Sequence, residues 1–124
     1  MKSYTDLEQS KKLAKILPLE SADMHYVLID TDKNKYDAGL GKYIGILSHY
    51  PCWSLAALLD VLESEIDGEE GETYQLNIEK DGTWWNVWYR ERYDEADAIE
   101  AESTEEFVDA CVEMIEELHK QKLL

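Results

Sequence analysis

Proline and cysteine are scarce in this chain, and each scarcity narrows what it can be. Two cysteines, Cys52 and Cys111, stand far apart among 124 residues. A pair so separated is no disulfide framework, and buried free thiols fit a reducing compartment. No apolar run approaches the roughly 18 residues that span a bilayer. The opening Met1-Lys2-Ser3-Tyr4-Thr5-Asp6 lacks the apolar core of a secretory signal. The expected location is therefore the cytoplasm, with no membrane partner. Six glycines form no phosphate cradle. Gly39-Leu40-Gly41 lacks a third glycine and a following helix.

Positive charge is the largest shortage. Twelve Lys and Arg face 28 Asp and Glu, a formal net charge of -16. The imbalance is local. Residues 1–62 hold seven basic and eight acidic side chains, whereas 63–124 hold five and twenty. Such a field repels nucleic acid and attracts a basic protein surface. The acidity concentrates at Glu63, Glu65, Asp67, Glu69, Glu70 and Glu72, then at Asp94, Glu95, Asp97, Glu100 and Glu102. Solubility is the plainer use of those carboxylates. Carboxylates in such solvated loops are not expected to act as a general acid–base pair.

The length suits one domain, residues 1–124. At 44% hydrophobic and 32% charged, the chain has globular composition. Thr5 and Glu8 predict a capping box for a first helix carrying Leu7, Leu13, Ile16 and Leu17, stopped by Pro18. Met24 to Asp30 alternates as a strand, and Thr31 to Lys35 is a polar turn. Tyr36 to Leu47 reads as the returning strand, with Gly39, Gly41 and Gly45 marking a bulge or a close backbone approach. Pro51 to Ser54 leads into a helix with Leu55, Leu58, Leu59 and Leu62 at core spacing. Glu63 to Glu72 and Tyr93 to Glu102 read as acidic loops. Ser103 and Glu106 predict a second capping box, opening a helix faced by Phe107, Cys111, Met114 and Leu118. The order is α-β-β-α-β-β-α. One four-stranded, mainly antiparallel sheet packed by helices is the expected α+β architecture.

Tyr74 to Glu79 and Thr83 to Glu91 predict a hairpin through Asp81-Gly82. That turn pairs Lys80 with Thr83, Ile78 with Trp85, Leu76 with Val87 and Tyr74 with Tyr89. These form an apolar core face. The opposite face carries Trp84, Asn86, Trp88 and Arg90 beside Glu79, Asn77, Gln75 and Thr73. Tryptophan is costly to leave in water and is enriched at binding hot spots. Trp84, Trp88, Asn86, Gln75, Asn77 and Arg90 are the candidate binding residues. Cover by a helix or a second copy is the structural alternative. A three-residue loop would exchange the faces and present Trp85 and Tyr89 instead.

Asp30-Thr31-Asp32-Lys33-Asn34 starts like a calcium loop but has Lys35 at the glycine position and Gly41 where a bidentate glutamate belongs. It reads as a turn. His49-Tyr50-Pro51-Cys52 has no second ligand pair for zinc. A Cys52 nucleophile with His49 or His25, or a site in the acidic loops, is the enzymatic alternative. No metal, cofactor or catalytic residue is assigned.

Three stretches carry a resemblance. They are Tyr4 to Ala14 running into Ile16 to Met24, then Pro51-Cys52-Trp53-Ser54-Leu55-Ala56-Ala57-Leu58-Leu59, then Asp109-Ala110-Cys111-Val112-Glu113-Met114-Ile115. Together they resemble small uncharacterised proteins of Bacteroides-group gut bacteria, their phages and mobile elements. The resemblance covers under half of the chain and implies an intracellular accessory protein with no assigned activity. Tyr74 to Leu118 is similar in element order to HicB-type antitoxins, which neutralise a basic RNase toxin. It departs from them at Tyr93 to Glu102, where that family has a proline- and glycine-containing segment. The expected function is a non-enzymatic protein-binding module. The alternatives are an acidic nucleic-acid mimic inhibiting a basic partner, a homodimer that buries its tryptophans, and a small enzyme.

Overall fold

The computed structural model describes residues 1–41 and 49–124. Its elements are α1 (Leu7–Leu13), a 3-10 turn (Leu19–Ser21), β1 (Met24–Asp30), β2 (Lys35–Leu40), β3 (His49–Cys52), α2 (Leu55–Val61), β4 (Glu65–Asp67), β5 (Thr73–Asp81), β6 (Trp84–Glu91), β7 (Ala98–Glu100) and α3 (Phe107–Lys120). The class is α+β. The expected single four-stranded sheet is replaced by two antiparallel sheets, ordered β2-β1-β3 and β4-β5-β6-β7.

The difference comes from three short strands. β3 pairs with β1 and places Cys52 opposite Met24. Its Pro51 hides it in the sequence, but a proline is tolerated on an edge strand, where no ladder partner is lost. β4 and β7 lie inside the two acidic segments and pair with β5 and β6. Their charges mask any strand pattern, yet charge is what an exposed sheet edge carries to repel further strands. β2 ends at Leu40, and the expected continuation to Leu47, with Gly45, lies outside the described residues. Gly39 does lie in a close approach. A Cβ there would stand 3.3 Å from Nε2 of His25, its partner across the ladder.

The caps also differ from expectation. Asp6, not Thr5, caps α1, and Gln9 completes the capping box. Gln9 N–H donates to Asp6 Oδ1 at 2.8 Å, and Asp6 N–H donates to Gln9 Oε1 at 3.0 Å. Thr5 is instead fully buried. Ser103 and Thr104 form no cap either. Thr104 exchanges two backbone hydrogen bonds with Trp85, at 2.7 and 3.2 Å. The ring of Trp85 stacks on Phe107 with centroids 4.3 Å apart. Pairing with the sheet edge thus pulls this segment out of the helix, which begins at Phe107. The Glu106 carboxylate accepts from the Lys2 backbone N–H at 2.8 Å.

The main core joins Leu13 and Leu17, Trp53, Leu58 and Leu62, the inner face of the four-stranded sheet, and the buried side of α3. A smaller cluster of Met24, Tyr26 and Cys52 lies under the three-stranded sheet. Thr5 joins the two. Its Oγ1 lies 2.7 Å from Ser10 Oγ and accepts from Trp53 N–H at 3.2 Å. Its carbonyl accepts from the Tyr26 hydroxyl at 2.7 Å. Every buried side-chain polar atom among the described residues has a partner.

Removing the Thr5 hydroxyl would orphan buried donors, at a cost of about 1–3 kcal/mol. Thr5→Ala is expected to lower the urea midpoint with an unchanged slope, and Thr5→Ser to recover most of the loss. Equal midpoints for the two variants would refute this role.

Candidate functional site

The β5–β6 hairpin turns through Gly82-Thr83 rather than Asp81-Gly82. Asp81 faces Trp84, Lys80 faces Trp85, Ile78 faces Val87, Leu76 faces Tyr89 and Tyr74 faces Glu91. Gly82 has φ +62 and Thr83 no positive φ, which suits a type II′ turn. The pairing is displaced by two residues from the expected one. Because side chains alternate with period two, a shift of two leaves every residue on its expected face.

Tyr74, Val87, Tyr89 and Ile99 face the core. The other face carries Gln75, Asn77, Glu79 and Asp81 against Arg90, Trp88, Asn86 and Trp84. Trp84, at the hairpin end, is 48% exposed. Trp88 is half-buried, and the Arg90 guanidinium lies 5.9 Å from its ring centroid. That cation–π contact holds an exposed arginine over the indole. Asn86 accepts a hydrogen bond from the Ser103 hydroxyl. Asn77 Nδ2 donates to the Gln75 carbonyl at 3.0 Å, and Gln75 Nε2 donates to Glu65 at 3.3 Å.

The structure gathers Asn86, Trp88 and Arg90 around a recess of about 340 Å³, together with Glu79, Glu100 and Ser103. Trp84, Gln75 and Asn77 share the face but do not line the recess. Ser103 is the recess residue that sequence reasoning missed as a binding group. It reaches the face only because Thr104 docks on β6.

Of the eleven acidic residues singled out, all but Glu72 and Asp97 are exposed. Those two have local structural partners. Asp97 accepts from the Tyr74 hydroxyl at 3.0 Å, and Glu72 accepts from Glu70 N–H at 2.8 Å. Glu65 is the one of the eleven in an ion pair among the described residues, with Arg92 at 2.6 Å.

The thiol–imidazole arrangement does not form. Cys52 points inward and is fully buried, donating to the Thr5 carbonyl at 3.5 Å. His25 and His49 belong to the opposite face of the same sheet and stack on one another with centroids 5.5 Å apart. Burial raises the Cys52 thiol pKa, outweighing hydrogen bonds from Thr5 and Ser10 that act the other way. Burial alone pushes Cys111 up to about 12. Among the described residues no group of three His, Cys, Asp or Glu side chains could hold a metal. No helix among them is long and apolar enough to cross a membrane.

Comparison with protein families, curated proteins and solved structures finds no match.

Both thiols are expected to resist a thiol reagent in the folded protein at neutral pH and to react in urea. Rapid labelling of the native state would contradict their burial. The neutral thiol is the form that the core accepts. The stability tied to Cys111 is therefore complete below its ordinary value of 9.0 and is lost as pH rises toward about 12. Thermal melts should show Tm falling above about pH 9, with a shallower fall in Cys111→Ala. An equal slope in the variant would remove Cys111 from the account.

Proposed function

We propose that this chain is a non-enzymatic module that binds a basic protein through the outer face of its four-stranded sheet. The observation that carries the reading is Trp84 and Trp88 standing on that face, one nearly half exposed and one beside a polar recess. An indole flanked by Asn86, Arg90 and Ser103 supplies flat apolar area ringed by groups that pair with a partner's backbone. Glu79 and Glu100 at the recess, and the exposed carboxylates of the two acidic segments, favour a basic partner and repel nucleic acid.

A second reading rests on those carboxylates themselves. Nine exposed acids in two segments suit an inhibitor whose surface mimics nucleic acid, as an antitoxin-like protein would need. Both readings place the protein in the cytoplasm, as an accessory protein of a phage or mobile element. The buried free thiols of Cys52 and Cys111 suit that compartment.

The test is affinity capture from bacterial lysate at low and then high salt, with wild type, Trp84→Ala and Trp88→Ala compared. A hot-spot tryptophan contributes about 2 kcal/mol to binding, roughly thirtyfold in affinity. The expected result is one retained protein, lost in either variant and weakened by salt. Trp84→Ala should stay within about 0.5 kcal/mol of wild-type stability, because the ring is half in water. Retention shed by salt but indifferent to both substitutions would favour the mimic. Light scattering showing a dimer that dissociates in Trp84→Ala would replace both readings with self-association. Specific retention of nothing would end the binding reading.

A further inference from the structure

A larger concavity lies away from the tryptophan face and shares no residue with its recess. It measures about 750 Å³ and is built by the turn that follows α1, the 3-10 turn and α2. Ile16, Leu17, Ala57, Val61 and Leu124 provide its apolar lining. Glu20, Asp23, Asp60 and Glu63 line it as well, all four exposed, and among the described residues no Lys or Arg does. Val61, Glu63 and Leu124 also line an adjoining hollow of about 260 Å³ that reaches Glu65 and Asp67 on β4. The result is an apolar trough with carboxylates along it.

Such a trough constrains its occupant in three ways. Its apolar lining selects apolar side chains, and its charges select cationic flanks. A second copy of the chain would bring another net charge of -16 against it, so the charge pattern disfavours self-association here. The occupant's backbone must also be satisfied. The walls are turns and the helix α2, and the nearest sheet edge among the described residues, β4, has only three residues, two of them acidic. An extended peptide finds no ladder to join there, whereas a helix satisfies its own backbone and presents one apolar stripe.

We infer that the trough between the turn after α1, the 3-10 turn and α2 is a docking groove for a basic amphipathic helix of a partner protein. Apolar side chains at helical spacing enter between Ile16, Ala57 and Val61. Lys or Arg beside that stripe meet Glu20, Asp60 and Glu63. Asp23 is the member already committed to the fold. Its carboxylate accepts from Ser54 N–H at 2.9 Å and from the Ser54 hydroxyl. Ser54 in turn caps α2 by accepting from Ala57 N–H at 3.2 Å. The groove and the tryptophan face are independent, and either could fail without the other.

The probe is a fluorescein-labelled helical peptide of roughly 16 residues, made of Leu, Ala and Lys with Leu at i, i+3, i+4 and i+7. A peptide of the same composition with scattered leucines controls for bare charge attraction. Three proteins are compared with wild type by fluorescence anisotropy. Ala56→Trp fills the groove from an exposed lining position of α2 without changing charge. The triple variant Glu20→Gln, Asp60→Asn, Glu63→Gln removes charges beside the groove. The triple variant Glu69→Gln, Glu70→Gln, Glu95→Gln removes the same charge elsewhere.

The expected result is binding of the amphipathic peptide to wild type, weakened at least about tenfold in Ala56→Trp and in the groove triple. The remote triple should stay within about twofold, and the scattered peptide should bind at least about tenfold more weakly. Amide shifts in a ¹⁵N correlation spectrum should gather at Ile16, Ala57 and Val61. Equal binding of the two peptides, equal loss in the two triple variants, undiminished binding by folded Ala56→Trp, shifts centred on Trp84 and Trp88, or no binding would each overturn the inference. If Ala56→Trp does not fold, the contrast between the two triples and the shift map still decide it.

Discussion

A single buried hydroxyl, on Thr5, sits where the two sheets, α1 and the entry to α2 meet. The segment around it pairs antiparallel with the start of α2, through Thr5 N–H to Trp53 O and Leu55 N–H to Ser3 O, both at 2.9 Å. Its side chain ties Ser10 of α1 to the Trp53 backbone. Its carbonyl receives Tyr26 and Cys52 from the three-stranded sheet. The neighbouring Trp53 is fully buried and donates its indole N–H to Ser21 at 2.9 Å, fixing the 3-10 turn. Asp23 then holds Ser54, the cap of α2. The groups around Thr5 are buried and would cost desolvation energy if their partners moved, so these segments hold their positions together. The walls of the large groove are the same segments. Its shape is therefore a consequence of the polar network behind it.

The elements that were legible in the sequence are those whose burial signal runs long enough to repeat. α2, α3, β1, β5 and β6 follow apolar spacing at their expected places. What the sequence hid was brief or charged. β4 and β7 have three residues each, too few to show alternation, and acids occupy them because they edge a sheet. Both capping errors have one cause. Thr5 and Ser103 each fit the local pattern of a helix start, and each lies in a segment taken instead by a backbone pairing with residues distant in sequence, Thr5 with Trp53 and Thr104 with Trp85. Local propensity yielded to tertiary contacts that no window of sequence contains.

The tryptophan face was legible for a more robust reason than the hairpin register. The expected turn was wrong, yet the error was an even number of residues, and faces depend only on parity. The recess was not legible. It needs Glu100 on β7 and Ser103 beyond it, both placed by pairings that the acidic segment conceals. The groove was less legible still. Its apolar residues come from the turn after α1, from α2 and from Leu124, and several are small. None exceeds what a helix end ordinarily leaves exposed. Only the fold makes them a surface.

The acidity of the chain is thus a weaker functional signal than its size suggests. Glu65 and Asp67 guard one edge of the four-stranded sheet, and Glu100 lies on the strand at the other. Asp97 and Glu72 order their own segments. Those carboxylates have structural reasons to be where they are, whatever the protein binds. The groove acids Glu20, Asp60 and Glu63 take part in no side-chain ion pair among the described residues. The half-exposed indole of Trp84 beside Asp81 gains little from the fold, where a smaller polar residue would complete the same turn. The two proposed binding surfaces rest on residues of this kind. The proposed groove and the proposed tryptophan face are separate, so a partner that used both would have to be large enough to span them or bind through two segments.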